Sequence, residues 1–144
     1  MNSSTTLTAS LTLLACSLTG SPDDKHLPLA PQVMTARTAY IDNRSGRSAV
    51  ADETYHEIRK WGRFQVVQDR TQADIILLLT TTLDSDGDAW RHLTVIDPST
   101  GDILWSDSKA AIYHLGRATQ FLVGELKKRI EDQSRQSGSA DKKR

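Results

Sequence analysis

Cysteine occurs once, at Cys16. A single thiol excludes an intramolecular disulfide and a thiolate metal cluster, so an exported domain built from this chain depends on its hydrophobic core. Charge of one sign is missing too: Lys+Arg and Asp+Glu are both 18. Without a basic surplus there is no electrostatic footprint for nucleic acid. Proline is confined to Pro22, Pro28, Pro31 and Pro98. No apolar run reaches the length needed to span a bilayer as a helix. There is no Gly-x-Ser-x-Gly elbow and no phosphate-binding glycine loop, Gly116 being isolated. The sequence therefore offers no set of residues for enzymatic chemistry, and the expectation is a non-enzyme without cofactor or metal.

What is present starts at the N-terminus. Leu7 to Ala15 is a short apolar stretch interrupted by Thr8, Ser10 and Thr12, and Leu13-Leu14-Ala15-Cys16 ends it. A small residue directly before the only cysteine resembles the lipobox of bacterial lipoproteins. That resemblance implies removal of residues 1–15 as a signal peptide and a lipid on Cys16, which becomes the mature N-terminus. No Lys or Arg precedes Lys25, so the basic n-region of a leader is absent. Residues 16–32 hold three of the four prolines and read as an extended tether. Ser17 follows the cysteine. By the enterobacterial sorting rule, which retains Asp at that place in the inner membrane, Ser17 points to the outer membrane, facing the periplasm.

Residues 33–131 read as one domain. Val33 to Ile41 carries β-branched residues and predicts a first strand. In Ser48 to Trp61, the residues Val50, Thr54, Ile58 and Trp61 recur at helical spacing, and Gly62 stands at the C-terminal cap. Phe64 to Val67 predicts a short strand. Ile75-Ile76-Leu77-Leu78-Leu79, within 74–83, is continuously apolar, the pattern of a strand covered on both faces. Residues 89–96 and 102–111 predict a hairpin around Asp97-Pro98-Ser99-Thr100-Gly101. In residues 115–131, Leu115, Ala118, Leu122, Leu126 and Ile130 form an apolar helical stripe that Phe121 widens. Residues 132–144 lack large apolar side chains and predict a disordered polar tail. The fold class expected is α+β: a single mixed sheet of about five strands, in the order β-α-β-β-β-β-α, with two helices packed on one face.

Several stretches together resemble a known domain type. They are Asp42-Asn43 with Ser45-Gly46, Trp61 to Val67, Ala73-Asp74-Ile75-Ile76-Leu77, Val95-Ile96-Asp97 through Thr100-Gly101 to Leu104-Trp105, and the helix after Leu115-Gly116. They resemble the small α/β domain at the N-terminus of TolB, shared with the curli secretion lipoprotein CsgG and the activator lipoprotein LpoB. The resemblance implies a fold and a bacterial envelope location; it assigns no binding residue.

Asp84, Asp86 and Asp88 open like an EF-hand loop, but Ala89 holds the glycine position and Val95 the place of the bidentate Glu, which leaves an acidic turn. His26, His56, His92 and His114 never recur at metal-ligand spacing. Asp69, Asp74 and Asp97 suit strand ends and turns. Trp90 and Arg91, beside a polar loop, are the candidate partner patch, because Trp and Arg are enriched at interface hot spots. The function these features point to is a membrane-anchored envelope lipoprotein, held by lipid on Cys16, that binds envelope proteins as an adaptor or assembly module. The alternative is a soluble periplasmic or secreted domain binding a small ligand in a sheet–helix cleft.

Overall fold

A computed structural model describes residues 28–111 and 115–141. The elements are α1 (Pro31–Thr35), β1 (Thr38–Asn43), α2 (Ser48–Trp61), β2 (Gln65–Val67), a 3-10 turn (Arg70–Gln72), β3 (Ile75–Leu83), β4 (Ala89–Ile96), β5 (Ile103–Ala110) and α3 (Leu115–Asp141). The five strands form one sheet in the order β2-β1-β3-β4-β5. β1 is parallel to both β2 and β3, whereas β3, β4 and β5 run antiparallel. The single mixed sheet is the one the sequence predicts.

The start of the domain differs from the expectation. Residues Val33 to Thr35 belong to helix α1, and the first strand begins at Thr38. Pro31 sits in the first turn of α1, where its missing N–H costs nothing and its fixed φ suits a helix. Val33, one of the β-branched residues that suggested a strand, serves packing instead and is fully buried in the core, whereas Thr35 is exposed. The end of the proposed tether is also part of the fold. Leu29 is buried, and its backbone is held at both ends by Gln133, whose Oε1 accepts from Leu29 N at 2.6 Å and whose Nε2 donates to Leu29 O at 3.2 Å.

That contact explains a second difference. Helix α3 continues to Asp141, through residues where a polar tail was expected. Gln133 lies in that extension, so a stretch without large apolar residues is tied to the domain by an amide rather than by an apolar stripe.

Helix α2 follows the predicted pattern. Val50, Thr54 and Ile58 are buried, and the Thr54 hydroxyl donates to Val50 O at 2.8 Å. Gly62 ends the helix with φ +73°, the left-handed conformation glycine adopts without a Cβ clash, and its N–H caps Ile58 O. α3 buries Ala118, Leu122, Val123, Leu126 and Ile130. Phe121 does not widen this stripe; it is 63% exposed. The two helices lie side by side, and Gln120 of α3 donates to Glu53 of α2 at 2.8 Å. Between helices and sheet lies the core: Ala39, Ile75, Leu77, Leu79, Leu93 and Val95 from the strands meet Ile58, Leu122 and Leu126 from the helices.

The turns match the sequence reading. Asp97 accepts from Ser99 N at 2.8 Å, and Gly101 takes φ +81° while its N–H bonds Asp97 O at 2.9 Å.

Candidate functional site on the uncovered sheet face

Strand alternation divides β4 cleanly. Arg91, Leu93 and Val95 are buried toward the helices, while Trp90, His92, Thr94 and Ile96 point to the other face and stay partly accessible. The same phase runs through β3, where Leu77 and Leu79 are buried and Leu78 is half-buried. The continuous apolar run of β3 is therefore not covered on both faces along its whole length. Ile76 is fully buried on the outer face; Leu78 is not.

The register assembles that outer face row by row. Val67, Tyr40, Ile76 and Ile96 form an apolar row across four strands. Asp42, Leu78, Thr94 and Ser106 form the next, with the Thr94 and Ser106 hydroxyls 3.0 Å apart. Thr80, His92 and Ser108 follow, then Thr82, Trp90 and Ala110. Thr82 Oγ1 and His92 Nε2 lie 2.7 Å apart, joining the last two rows.

Trp90 stands at the corner of this face, 36% exposed. Its indole Nε1 donates to Asp84 Oδ2 at 3.1 Å, and the other oxygen of that carboxylate accepts from Asp86 N and Asp88 N. The acidic turn therefore uses Asp84 to close the loop and to orient the tryptophan. These bonds, led by the one from Trp90, hold the Asp84 carboxyl below the ordinary carboxylate range. Arg91 is not its neighbour on the surface. It is only 2% exposed and lies on the helix-covered face, because adjacent residues of a strand point to opposite sides. The patch of Trp90 with Arg91 thus does not exist as one surface. The signal was in the sequence: Arg91 shares its phase with Leu93 and Val95, and Trp90 shares its phase with the polar Thr94.

No protein-family model and no curated protein matches this chain. Solved structures do. PelC from Paraburkholderia phytofirmans, a dodecamer, aligns with a TM-score of 0.43 at 12% identity, covering 72% of this chain and 93% of that one. The C-terminal domain of LpoB from Escherichia coli gives 0.38 at 20% identity, with 53% and 83% covered. Lipoprotein B from Nitrosomonas europaea gives 0.38 at 13% identity, with 76% and 86% covered.

The other sequence candidates separate in space or serve the fold. Cys16, His26 and His114 lie outside the described residues. His56 is exposed on α2. Among the described residues, no three His, Cys, Asp or Glu side chains are placed to hold a metal ion, and no helix is long and apolar enough to cross a membrane. Trp61 is half-buried, its ring edge-on to Phe64 at 5.2 Å, and Trp105 is half-buried against the core.

Three further carboxylates act on the backbone. Asp69 accepts from Thr71 N at 2.9 Å and caps the 3-10 turn. Asp74 Oδ2 accepts from Arg37 N at 2.8 Å and Thr38 N at 3.0 Å, fixing the entry of β1 beside β3. Backbone donors lower the pKa of Asp74, and bonds from Thr71 and Ser99 lower those of Asp69 and Asp97. A carboxyl that is more acidic in the folded state stabilises the fold at neutral pH, and that contribution disappears as pH falls through the folded value. Thermal denaturation from about pH 7 down to about pH 2 should show Tm falling below roughly pH 4, where free carboxyls titrate. Asp74→Asn should lower Tm at neutral pH and flatten the acid limb. An acid limb as steep as that of the parent would show that Asp74 is not among its causes.

Proposed function

We propose that this chain is a non-enzymatic lipoprotein of the bacterial envelope whose α+β domain docks onto an envelope protein through its uncovered sheet face. The observation that carries the reading is the Leu13-Leu14-Ala15-Cys16 sequence ahead of a domain in which Leu29 is already buried. In this reading residues 1–15 are removed, Cys16 carries acyl chains, and the residues from Cys16 to Leu29 are the tether. Fully extended, that segment reaches at most about 45 Å, enough to hold the domain clear of lipid head groups. Several acyl chains on one cysteine supply the multiple-chain anchoring that stable membrane attachment needs. Ser17 favours the outer membrane, with the domain on the periplasmic side.

Docking would use Trp90, a large rigid side chain held by Asp84, on the same sheet face as Thr94 and Leu78 and separated from their row by that of Thr80 and His92. Arg91, buried, takes no part in this surface.

Intact mass of the membrane-extracted protein tests the anchor. The expected mass is that of a chain beginning at an acylated Cys16. Cys16→Ala should retain the leader and move from the detergent phase to the aqueous phase in a detergent partition. An unmodified thiol on an uncleaved chain would refute the anchor and leave the soluble alternative. Docking is tested separately, by a photo-crosslinking residue at position 94 in cells and another at the exposed Lys60 position on the helix side. Discrete adducts are expected from 94 alone; equal adducts from both, or none, would count against the sheet face.

A further inference from the structure

Arg91 is buried, and among the described residues it has no counter-ion. Its Nη1 donates to Thr81 Oγ1 at 3.3 Å, its buried Nε has no hydrogen-bond partner, and among the described residues Nη2 has none either. The unpartnered edge, Nε with Nη2, is the fork by which arginine grips an oxyanion side-on. One turn into α3, Thr119 is 1% exposed and its hydroxyl is likewise without a partner. Buried polar atoms in folded proteins are nearly always satisfied, and a lone buried cation is among the costliest exceptions.

Both orphans belong to the layer between sheet and helices, at one end of the molecule. Thr81, Arg91 and Lys109 are register partners on the helix-covered face, near the ends where β3 and β5 finish and β4 begins. α2 starts at this end, just after β1, and α3 starts there, just after β5. The Glu53–Gln120 bond joins the sixth residue of each helix, so their N-termini lie level. α2 has no side-chain cap, and neither helix has an acidic residue in its first turn. Free N–H groups and the helix dipole make such ends electropositive. Burial, and after it the charge of Arg47, the N-cap residue of α2, disfavour the charged form of Arg91. The carboxylate on the same face, Asp107, is engaged by Lys109 at 3.6 Å and by Ser108 N at 2.7 Å.

We propose that this end of the sheet–helix layer binds a phosphoryl group of a small soluble ligand. The Arg91 Nε–Nη2 edge is its principal contact, with the Thr119 hydroxyl, the N-terminus of α2 and Arg47 completing the site. Two arginines and a helix N-terminus at one end of the layer favour a dianion over a carboxylate. This assignment does not depend on the lipid anchor or on the sheet-face docking.

The test is a titration of the purified domain with inorganic phosphate at constant ionic strength, followed by Tm and by the Arg91 Nε–H resonance. The expected result is a saturable rise in Tm and a saturable shift of Nε–H, with acetate far weaker. Arg91→Met should be at least as stable as the parent without phosphate, because a lone buried cation is gone, and should lose the phosphate response. Should that variant fail to fold, Arg91→Lys and Arg47→Ala serve in its place, each expected to weaken phosphate binding about tenfold or more as the fork or the second cation is lost. An Nε–H that does not move, a phosphate response unchanged in these variants, or acetate equal to phosphate would overturn the proposal. Glycerol phosphate against short-chain phosphatidic acid separates a soluble ester from a lipid head group; a response to the lipid alone would overturn the soluble ligand.

Discussion

Leu77→Ala should destabilise the domain by about 3–4 kcal/mol. Leu77 is fully buried in β3, the middle strand of the sheet, and lies between Ile41 of β1 and Val95 of β4 in the register. It belongs to the core that the strands build with α2 and α3. Truncation removes apolar contact and leaves a cavity, because neighbours held on both sides by ladder hydrogen bonds relax only in part. For a domain of this size the loss corresponds to a fall in Tm on the order of 15 °C, read by circular dichroism. The comparison that makes this specific is Leu78→Ala. Leu78 is the next residue, equally apolar, but half-buried on the uncovered face. It should cost about 1 kcal/mol, in proportion to the smaller area it removes from water. Equal losses at the two positions would mean that the outer face is covered as fully as the inner one.

Phe64→Ala should cost about 3–4 kcal/mol, the range for an aromatic core truncation. Phe64 is 4% exposed, just before β2, and packs edge-on against Trp61 at the end of α2. The Arg63 guanidinium stands 5.9 Å from its ring centroid, and Arg63 Nη2 donates to Met34 O at the end of α1. One ring therefore helps join α1, α2 and the edge strand β2. β2 has only three residues and pairs with β1 alone, so backbone bonds cannot hold it without that packing. The matched control is Phe121→Ala. Phe121 is 63% exposed on α3, and its removal should stay within about 0.5 kcal/mol. Urea denaturation of both variants measures the difference. A small loss at Phe64 would show that β2 and α1 are held by other contacts.

Sequence periodicity made much of this fold legible. In α2, Val50, Thr54 and Ile58 recur at the helical repeat and are the residues that are buried. Gly62 marked its own end by being the residue that tolerates positive φ. Asp97 to Gly101 specified a turn through local hydrogen bonds, which need no distant partner. The composition of β3 identified a strand. It did not identify which of its side chains face water, because apolar residues stand on both faces.

What the sequence could not show depended on residues far along the chain. Val33 has strand propensity, yet it lies in a short helix whose place is set by Pro31 and by the core behind it. Gln133 carries no local signal of order; its partner, Leu29, is 104 residues away. Trp90 and Arg91 are adjacent in sequence, and the pleat sends one to the open face and the other beneath the helices. Trp90 and Arg91 form no common surface for the same reason: a surface is a matter of strand register, and register joins Trp90 to Thr82 and Arg91 to Thr81 and Lys109. Local sequence determined the elements and their ends, because helical repeat, turn chemistry and capping act over a few residues. Tertiary structure decided which faces are covered and which charges are left unpaired, because burial is set by packing among segments distant in the chain.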